Sequence, residues 1–477
     1  MSFNSFGFAF FFIPLVGFYY LLPVKFRWWL ILLSSIAFYI WANPVSIFVP
    51  LAIIAIVYAS AIFIERNMIP SQKKIIYIIS VTAIIAILVF YKYAYFFISS
   101  LTQSVPANSF FASVIAPLGI SYITFQSIGY LIEVHRENIA AEKKLGHFAA
   151  YLLFFPKIMA GPVERAQHFL PQLKKETRFN YGLVTEGVRQ FGWGLFKKLV
   201  IADRLGMFVN SVYDDLHHSQ GPGLLTACIL FAFQLYADFS GYTDMALGAS
   251  KILGYELAPN FNLPFSAKSL SDFWRRWHIS LSGWFNDYFY TPLSISIRSW
   301  NKWGTIFSCV FTFMLLGLWH GANWTYIVFG GMHGTMVAAE FLTTRPRKRL
   351  RNKIPAKINS VIGILYTFLF FSFSCVFFRS NTVADAVYVL SHLFSGFTHW
   401  FTLSALKLSI QGHQLVISDF VILLLSIFFM FLVESKALLK KVSYLPSTGR
   451  WAAYYFFLIV VIVYSAPSGS GFIYKQF

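Results

Sequence analysis

Charge is scarce in this 477-residue chain, where Asp, Glu, Lys and Arg together make up 12% of the residues. Water-soluble proteins carry about twice that share, so a soluble globular domain is excluded. Acidic residues are scarcer still, 19 against 38 basic, and the formal charge is +19. In a soluble protein that excess would suggest nucleic acid. Here the basic residues sit in short connections between apolar runs, the distribution that the positive-inside rule demands, and no nucleic-acid partner is expected. Anionic lipid headgroups are the natural complement of such charge. Only three cysteines occur, Cys228, Cys309 and Cys375. They are far apart and lie in apolar stretches, so neither a disulfide framework nor a metal site is expected and all three should be buried and inert. Near Met1 there is no basic start, short apolar core and small-residue cleavage site, so targeting is expected to fall to the first spanning helix.

What the chain has instead is apolar and aromatic bulk: 57% hydrophobic residues and 20% Phe, Trp and Tyr, with a positive mean hydropathy. Repeated runs approach the roughly 20 residues that cross a ~30 Å hydrocarbon core. In the first third they extend from Gly7 to Leu22, Trp28 to Ala42, Ile47 to Ile64, Ile75 to Phe97 and Ile115 to Ile132. Towards the end they extend from Ile358 to Phe378, Val416 to Val433 and Trp451 to Ser465. The connections alternate between basic (Lys25 and Arg27; Arg66, Lys73 and Lys74; Arg136, Lys143 and Lys144) and uncharged (Asn43 to Ser46; Ser99 to Ser109). The same alternation appears between Arg345 to Lys357, the nearly neutral Ser380 to Gln414, and Lys436 to Arg450. This predicts both chain ends outside the cytoplasm. Phe154 to Pro162 is too short to span, and Phe273 to Pro292 mixes aromatics with charge. Both read as re-entrant or interfacial segments, which are tolerated only where protein or a water-filled cavity satisfies the backbone. No internal repeat or linker is evident. The expectation is an all-α polytopic membrane protein of about 11 spans, one domain over residues 1–477, with a central tunnel.

Histidines and charges at membrane depth are costly and tend to face a bundle interior or cavity. His278 follows Phe273-Trp274-Arg275-Arg276-Trp277, His320 ends an apolar run and precedes Gly321-Ala322-Asn323-Trp324, and His333 lies in Gly330-Gly331-Met332-His333-Gly334. A lone histidine among aromatics is also often a satisfied core residue or an interfacial anchor. Glu133, Asp238, Asp244 and Arg379 are the other intramembrane charges singled out. Asp238 and Asp244 fit either a proton relay, as in a transporter, or hydrogen bonds that hold helices together. The pairs Gly317 with Gly321 and Gly330 with Gly334 have the spacing of closely packed helices.

Six ordered stretches resemble the membrane-bound O-acyltransferase family: Pro117 to Tyr122 through Gln126; Phe155-Pro156-Lys157 with Ala160-Gly161-Pro162-Val163; Asp238 to Tyr242 with Asp244-Met245-Ala246; Phe273 to His278; Leu318 to Ala322; and Phe377-Phe378-Arg379. The branch resembled is the one that O-acetylates extracytoplasmic polysaccharides such as alginate, peptidoglycan or other exopolysaccharides. The resemblance implies helices coiled around a thinned membrane centre, with His320 at the family's essential histidine and His278 at its second polar position. It implies acetyl transfer from a cytoplasmic thioester, with acetyl-CoA as donor and no bound cofactor, and a separate periplasmic or extracellular acetyltransferase that completes transfer to the polymer. His320 would act as general base or would itself carry the acetyl group. Trp274, Arg275, Arg276, Trp277, Trp319, Asn323, Asp238 and Asp244 are then candidates for donor binding or the tunnel wall. Lys197 and Lys198 are further candidates for attracting donor phosphates, against the plainer reading of positive-inside charge. The expected location is the bacterial cytoplasmic (inner) membrane. D-alanyl transfer to teichoic acid within the same family, and a transporter or flippase outside it, are the alternatives; the latter should show inverted repeats with broken helices.

Overall fold

The computed structural model describes residues 2–102, 114–159, 161–219, 221–397, 417–436 and 438–466. The expected outer connections Ser99 to Ser109 and Ser380 to Gln414 therefore lie partly outside the described residues. Among these residues the protein is all α, and the extended backbone pairs only in one isolated bridge, Phe261 with Trp277. Two compact units are present, residues 1–191 with 246–259 and residues 192–245 with 260–477.

The first unit opens with α1 (Phe6–Leu21), α2 (Val24–Ala42), α3 (Phe48–Arg66) and α4 (Pro70–Leu88), followed by a π-helical turn at Val89–Tyr93 and a short helix to Thr102. These match the apolar runs of the sequence to within a few residues, because a segment in lipid has to satisfy its own backbone and the helix does so internally. Ser5 starts α1, its hydroxyl accepting from the amide of Phe8 at 3.2 Å. Phe6, Phe10 and Leu21 are 85%, 79% and 82% exposed, a lipid-facing stripe that water would not tolerate. At the centre of this unit is α5 (Ile120–His135), buried from Ile120 to Val134. Gly119 precedes it with φ +65°, and a Cβ there would lie 2.7 Å from the Ile158 side chain, so both conformation and space call for glycine. The intramembrane charge Glu133 accepts from the Asn138 side chain at 3.0 Å just past the end of α5. Around it pack α6 (Leu145–Leu153) and the amphipathic α7 (Ala166–Lys174). Between these two, the described residues of Phe154 to Pro162 contain only the four-residue helix Phe155–Ile158.

Next come α8 (Tyr181–Phe196), a π-helical turn at Lys197–Ala202, α9 (Asp203–Asp214) and α10 (Gly221–Ile252). The unit boundaries fall inside α8, inside α10 and between Pro259 and Asn260. The polar stretch around Asp238 and Asp244 does not interrupt α10, which runs unbroken for 32 residues, about 48 Å at 1.5 Å per residue. The second unit continues with the short helices α11 (Leu270–Trp274) and α12 (Ile279–Phe285), a π-helical turn at Asn286–Tyr290, and then α13 (Lys302–His320), α14 (Trp324–Leu342), the basic α15 (Thr344–Arg351) and α16 (Ala356–Arg379). It closes with α17 (Ile417–Ser435) and α18 (Ser447–Tyr464). Phe273 to Pro292 is thus a chain of short helices and turns. Among the described residues 7 helices have the length and apolarity to cross a membrane, and α1 and α17 are shorter apolar helices. The protein is a largely membrane-spanning helical protein. Cys228, Cys309 and Cys375 are all free and buried.

Candidate active site

The second unit holds both leading histidines. α13 and α14 are joined by only Gly321 to Asn323 and pack along their length. A Cβ on Gly317 would fall 2.1 Å from the carbonyl oxygen of Tyr326, and one on Gly330 would fall 2.1 Å from that of Phe313. Backbone lies against backbone here, so the small-residue spacing has the structural meaning read from it. That contact fixes the end of α13, where His320 is the last helical residue. His320 is buried, its ring 5.2 Å from that of Phe378 and 4.9 Å from that of Trp319. Asn323 serves the turn between the helices: its Oδ1 accepts from the amide of Thr325 at 3.1 Å, and its Nδ2 donates to the carbonyl of Asn381 at 2.8 Å.

His278 reaches the same indole from another element. Its ring lies 5.6 Å from Trp319 and meets Phe239 edge-on at 4.7 Å. His278 is fully buried, and neither ring nitrogen has a hydrogen-bond partner among the described residues. Leaving buried polar atoms unmatched is costly and uncommon outside functional sites. Its backbone is also unusual, with φ +44°, a left-handed conformation that costs a non-glycine residue about 1–3 kcal/mol. That conformation is held from outside. The carbonyl of Asn260 accepts from the amide of Ile279 at 3.0 Å, while its side-chain oxygen accepts from the Ser280 hydroxyl at 2.6 Å and amide at 3.3 Å. Asn262 adds a bond from its amide to the carbonyl of Arg276 at 3.0 Å. Sequence reasoning passed over Asn260, whose one visible signal was the pair of amide residues Asn260 and Asn262 following Pro259.

The remaining candidates divide by surroundings. Trp277 stacks on Phe273 at 5.4 Å and lies 5.0 Å from Phe371, as part of an aromatic wall. Trp274 donates its indole N–H to Nδ1 of His333 at 3.2 Å, and Nε2 of His333 lies 2.9 Å from the Ser374 hydroxyl. Both nitrogens of His333 are therefore engaged, so it is the satisfied core histidine of the three. Arg275 is exposed, whereas Arg276 is half-buried and bonded to Asp272 at 2.9 Å. Arg379 donates to Asn210 at 2.9 Å and stacks over Tyr213.

Lys197 and Lys198 do not fit the role of attracting donor phosphates. Both are buried and committed to carboxylates: Lys197 to Asp244 at 2.6 Å and Glu434 at 3.0 Å, Lys198 to Asp203 at 2.7 Å and Asp238 at 2.8 Å. An ammonium taken out of water requires such partners, and Tyr236 completes the set by donating to Glu434 at 2.6 Å. Asp238 and Asp244 thereby join α10 to the π-helical turn at Lys197–Ala202, and their bonds are those of helix attachment. Among the described residues no group of three or more His, Cys, Asp or Glu side chains is placed to hold a metal ion.

The sequence matches the membrane-bound O-acyltransferase (MBOAT) family over residues 142–380, an interval that contains every one of these candidates. It is 34% identical over 413 residues to the Azotobacter vinelandii protein named "Probable alginate O-acetylase AlgI", covering 85% of this chain and 80% of that one. With the "Peptidoglycan O-acetyltransferase" of Helicobacter pylori it shares 31% identity, covering 82% and 79%. Against the "Teichoic acid D-alanyltransferase" of Bacillus subtilis the identity is 30%, covering 56% of this chain and 70% of the relative.

Proposed function

Because this chain belongs to the membrane-bound O-acyltransferase family, we propose that it moves acetyl groups from a cytoplasmic thioester across the bacterial inner membrane for O-acetylation of an extracytoplasmic polysaccharide. The chain is an acyltransferase and a multi-pass membrane protein; the acetyl group, the polymer and the direction are our reading. The observation that carries it is the grouping of His278, Trp319 and His320, with His278 buried, strained and without a hydrogen-bond partner on either ring nitrogen among the described residues. A core histidine would resemble His333, whose two nitrogens are both engaged. A site whose bonds are made by a substrate resembles His278.

In this reading the donor is acetyl-CoA. A neutral His320 takes the proton from the attacking hydroxyl as its oxygen bonds to the thioester carbonyl carbon. The C–S bond then breaks, and the proton passes to the departing sulfur. If His320 is instead the nucleophile, its nitrogen holds the acetyl group between two such steps. His278 polarises the carbonyl oxygen or relays the proton, while Trp274, Trp277 and Trp319 keep out the water that would hydrolyse the donor. Arg275 is the exposed cation nearest in sequence to this site and is free for donor phosphates. We place the site in a central tunnel through about 11 spans, with residues 1–477 working as one domain and the N-terminus outside the cytoplasm. A periplasmic or extracellular acetyltransferase completes delivery to the polymer. The coverage of the O-acetylating relatives, above four fifths of this chain against 56% for the D-alanyltransferase, favours acetyl over D-alanyl transfer.

The test is transfer of radiolabelled acetyl from acetyl-CoA in proteoliposomes, with the partner and polymer present. His320→Ala is expected to fold and to lower transfer roughly 100- to 10,000-fold, the range of a lost general base. Wild-type transfer in folded His320→Ala would overturn the assignment, and no transfer by the wild type would move the donor to a carrier-bound acyl group.

A further inference from the structure

The segment that presents His278 is held at its other end by a residue that nothing so far has given a role. Glu340 lies near the end of α14, buried, in a stretch otherwise apolar or basic. Its Oε1 accepts from the amide of Leu270 at 3.0 Å, and its Oε2 accepts from the amide of Ser271 at 3.1 Å and from the Ser271 hydroxyl at 3.0 Å. Those are the first two residues of α11, the five-residue helix that ends at Trp274, four positions before His278. Two turns of α14 earlier, His333 accepts from the Trp274 indole at the other end of α11. An indole N–H only donates, so Nδ1 of His333 is the acceptor and Nε2 carries the hydrogen that meets Ser374. One face of α14 therefore grips α11 at both ends.

Charge sets Glu340 apart from an ordinary cap. Arg347, on the basic α15, approaches Oε1 at 3.5 Å, so the carboxylate has one cationic partner and three N–H or O–H donors. A helix of five residues does not hold itself in place by its own bonds. Its position, and that of the strained turn after it, has to be imposed by neighbours. Asn260 imposes it on the far side of His278 and Glu340 on the near side.

We infer that Glu340 is a positioning residue for His278, acting through the α11 amides and the Ser271 hydroxyl that its carboxylate holds. This rests on the acyltransfer reading of His278. An error of about 1 Å in such a group costs on the order of a hundredfold in rate, so the contact matters for turnover more than for donor binding.

The experiment uses the full chain in proteoliposomes with partner and polymer, comparing Glu340→Gln, His278→Ala and the double variant. A second readout is the rate at which diethyl pyrocarbonate modifies His278, followed by peptide mass spectrometry with His168 as internal reference. Glu340→Gln keeps shape but presents an amide NH2 to one of the donors it must accept from. Its kcat is expected to fall about tenfold with the donor KM within about twofold, and His278 to be modified at least about threefold faster. Added to His278→Ala, the change should cost nothing further. His278 modified at the wild-type rate in Glu340→Gln overturns the inference. Failure of the acyltransfer reading looks different: His278→Ala then transfers at the wild-type rate while His278 modification still responds to Glu340→Gln. Should Glu340→Gln not accumulate as folded protein, Ser271→Ala, which removes only the hydroxyl contact, takes its place with the same criteria.

Discussion

Gly317→Ala should damage catalysis from outside the site. The added Cβ would lie 2.1 Å from the Tyr326 carbonyl oxygen and 3.0 Å from its carbon, against an ordinary contact of 3.4 Å or more. Neither atom is at the end of a flexible side chain, so α13 and α14 must part by about 1.3 Å to restore van der Waals separation. Overpacking of this kind costs about 1–3 kcal/mol, a loss the fold is expected to survive. His320 sits one turn further along the same helix and moves with it. A shift of that size in a catalytic group lowers turnover by about a hundredfold. The control is Gly331→Ala, one position along α14 from the tight Gly330, where the new Cβ would meet Met314 at an ordinary 3.7 Å. Acetyl transfer and thermal unfolding are measured for both variants in the same proteoliposomes. Gly317→Ala should remain folded with a lowered midpoint and a severe loss of transfer, and Gly331→Ala should match the wild type. Equal transfer by both variants would refute the claim that backbone contact between these helices sets the position of His320.

Lys198→Met would leave Asp203 and Asp238 buried without their shared ammonium, which is strongly destabilising, about 3–5 kcal/mol for one broken buried pair. Sharply reduced folded yield is expected, with Lys198→Arg recovering most of it; a wild-type yield for Lys198→Met would show that the pairing does not hold the π-helical turn. On the first unit, the Nδ1 hydrogen bond from His168 to Glu164 raises the histidine above its ordinary value, against a smaller opposing effect of burial. Its contribution to stability is therefore complete below the unfolded value of about 6.5 and is lost as pH rises through the raised folded value. The melting midpoint of His168→Gln should fall below that of the wild type near pH 6, with the gap closing as the pH is raised past the histidine's raised folded value. A gap that widens with pH would contradict the pairing.

Hydropathy and its breaks were enough to locate α1 to α4, α16, α17 and α18, since each is a continuous apolar run that lipid forces into a helix. They were not enough between Lys174 and Lys302. There α10 carries Asp238 and Asp244 through an unbroken helix, paired with Lys198 and Lys197, partners that hydropathy does not reveal.

The same limit applies to the histidines. Their residue type and order in the chain marked where chemistry was to be sought, and the glycine spacing of α13 and α14 marked close helix packing. The family resemblance marked His278 and not His333, but nothing in the local sequence showed what hydrogen bonds either ring would make. Their difference lies in what they meet: His333 has Trp274 and Ser374, 59 and 41 positions away, while His278 has ring neighbours and no protein hydrogen bond among the described residues. Glu340 showed nothing in sequence beyond an acid at the apolar end of α14, ahead of a basic run, since its bonds reach back 69 and 70 positions. Sequence alone determined a helical membrane protein and the residue types of its site, because burial in lipid and helix formation are decided over one or two turns. Which polar groups find a partner was decided by tertiary structure, because a hydrogen bond or ion pair depends on a partner that only the fold brings near.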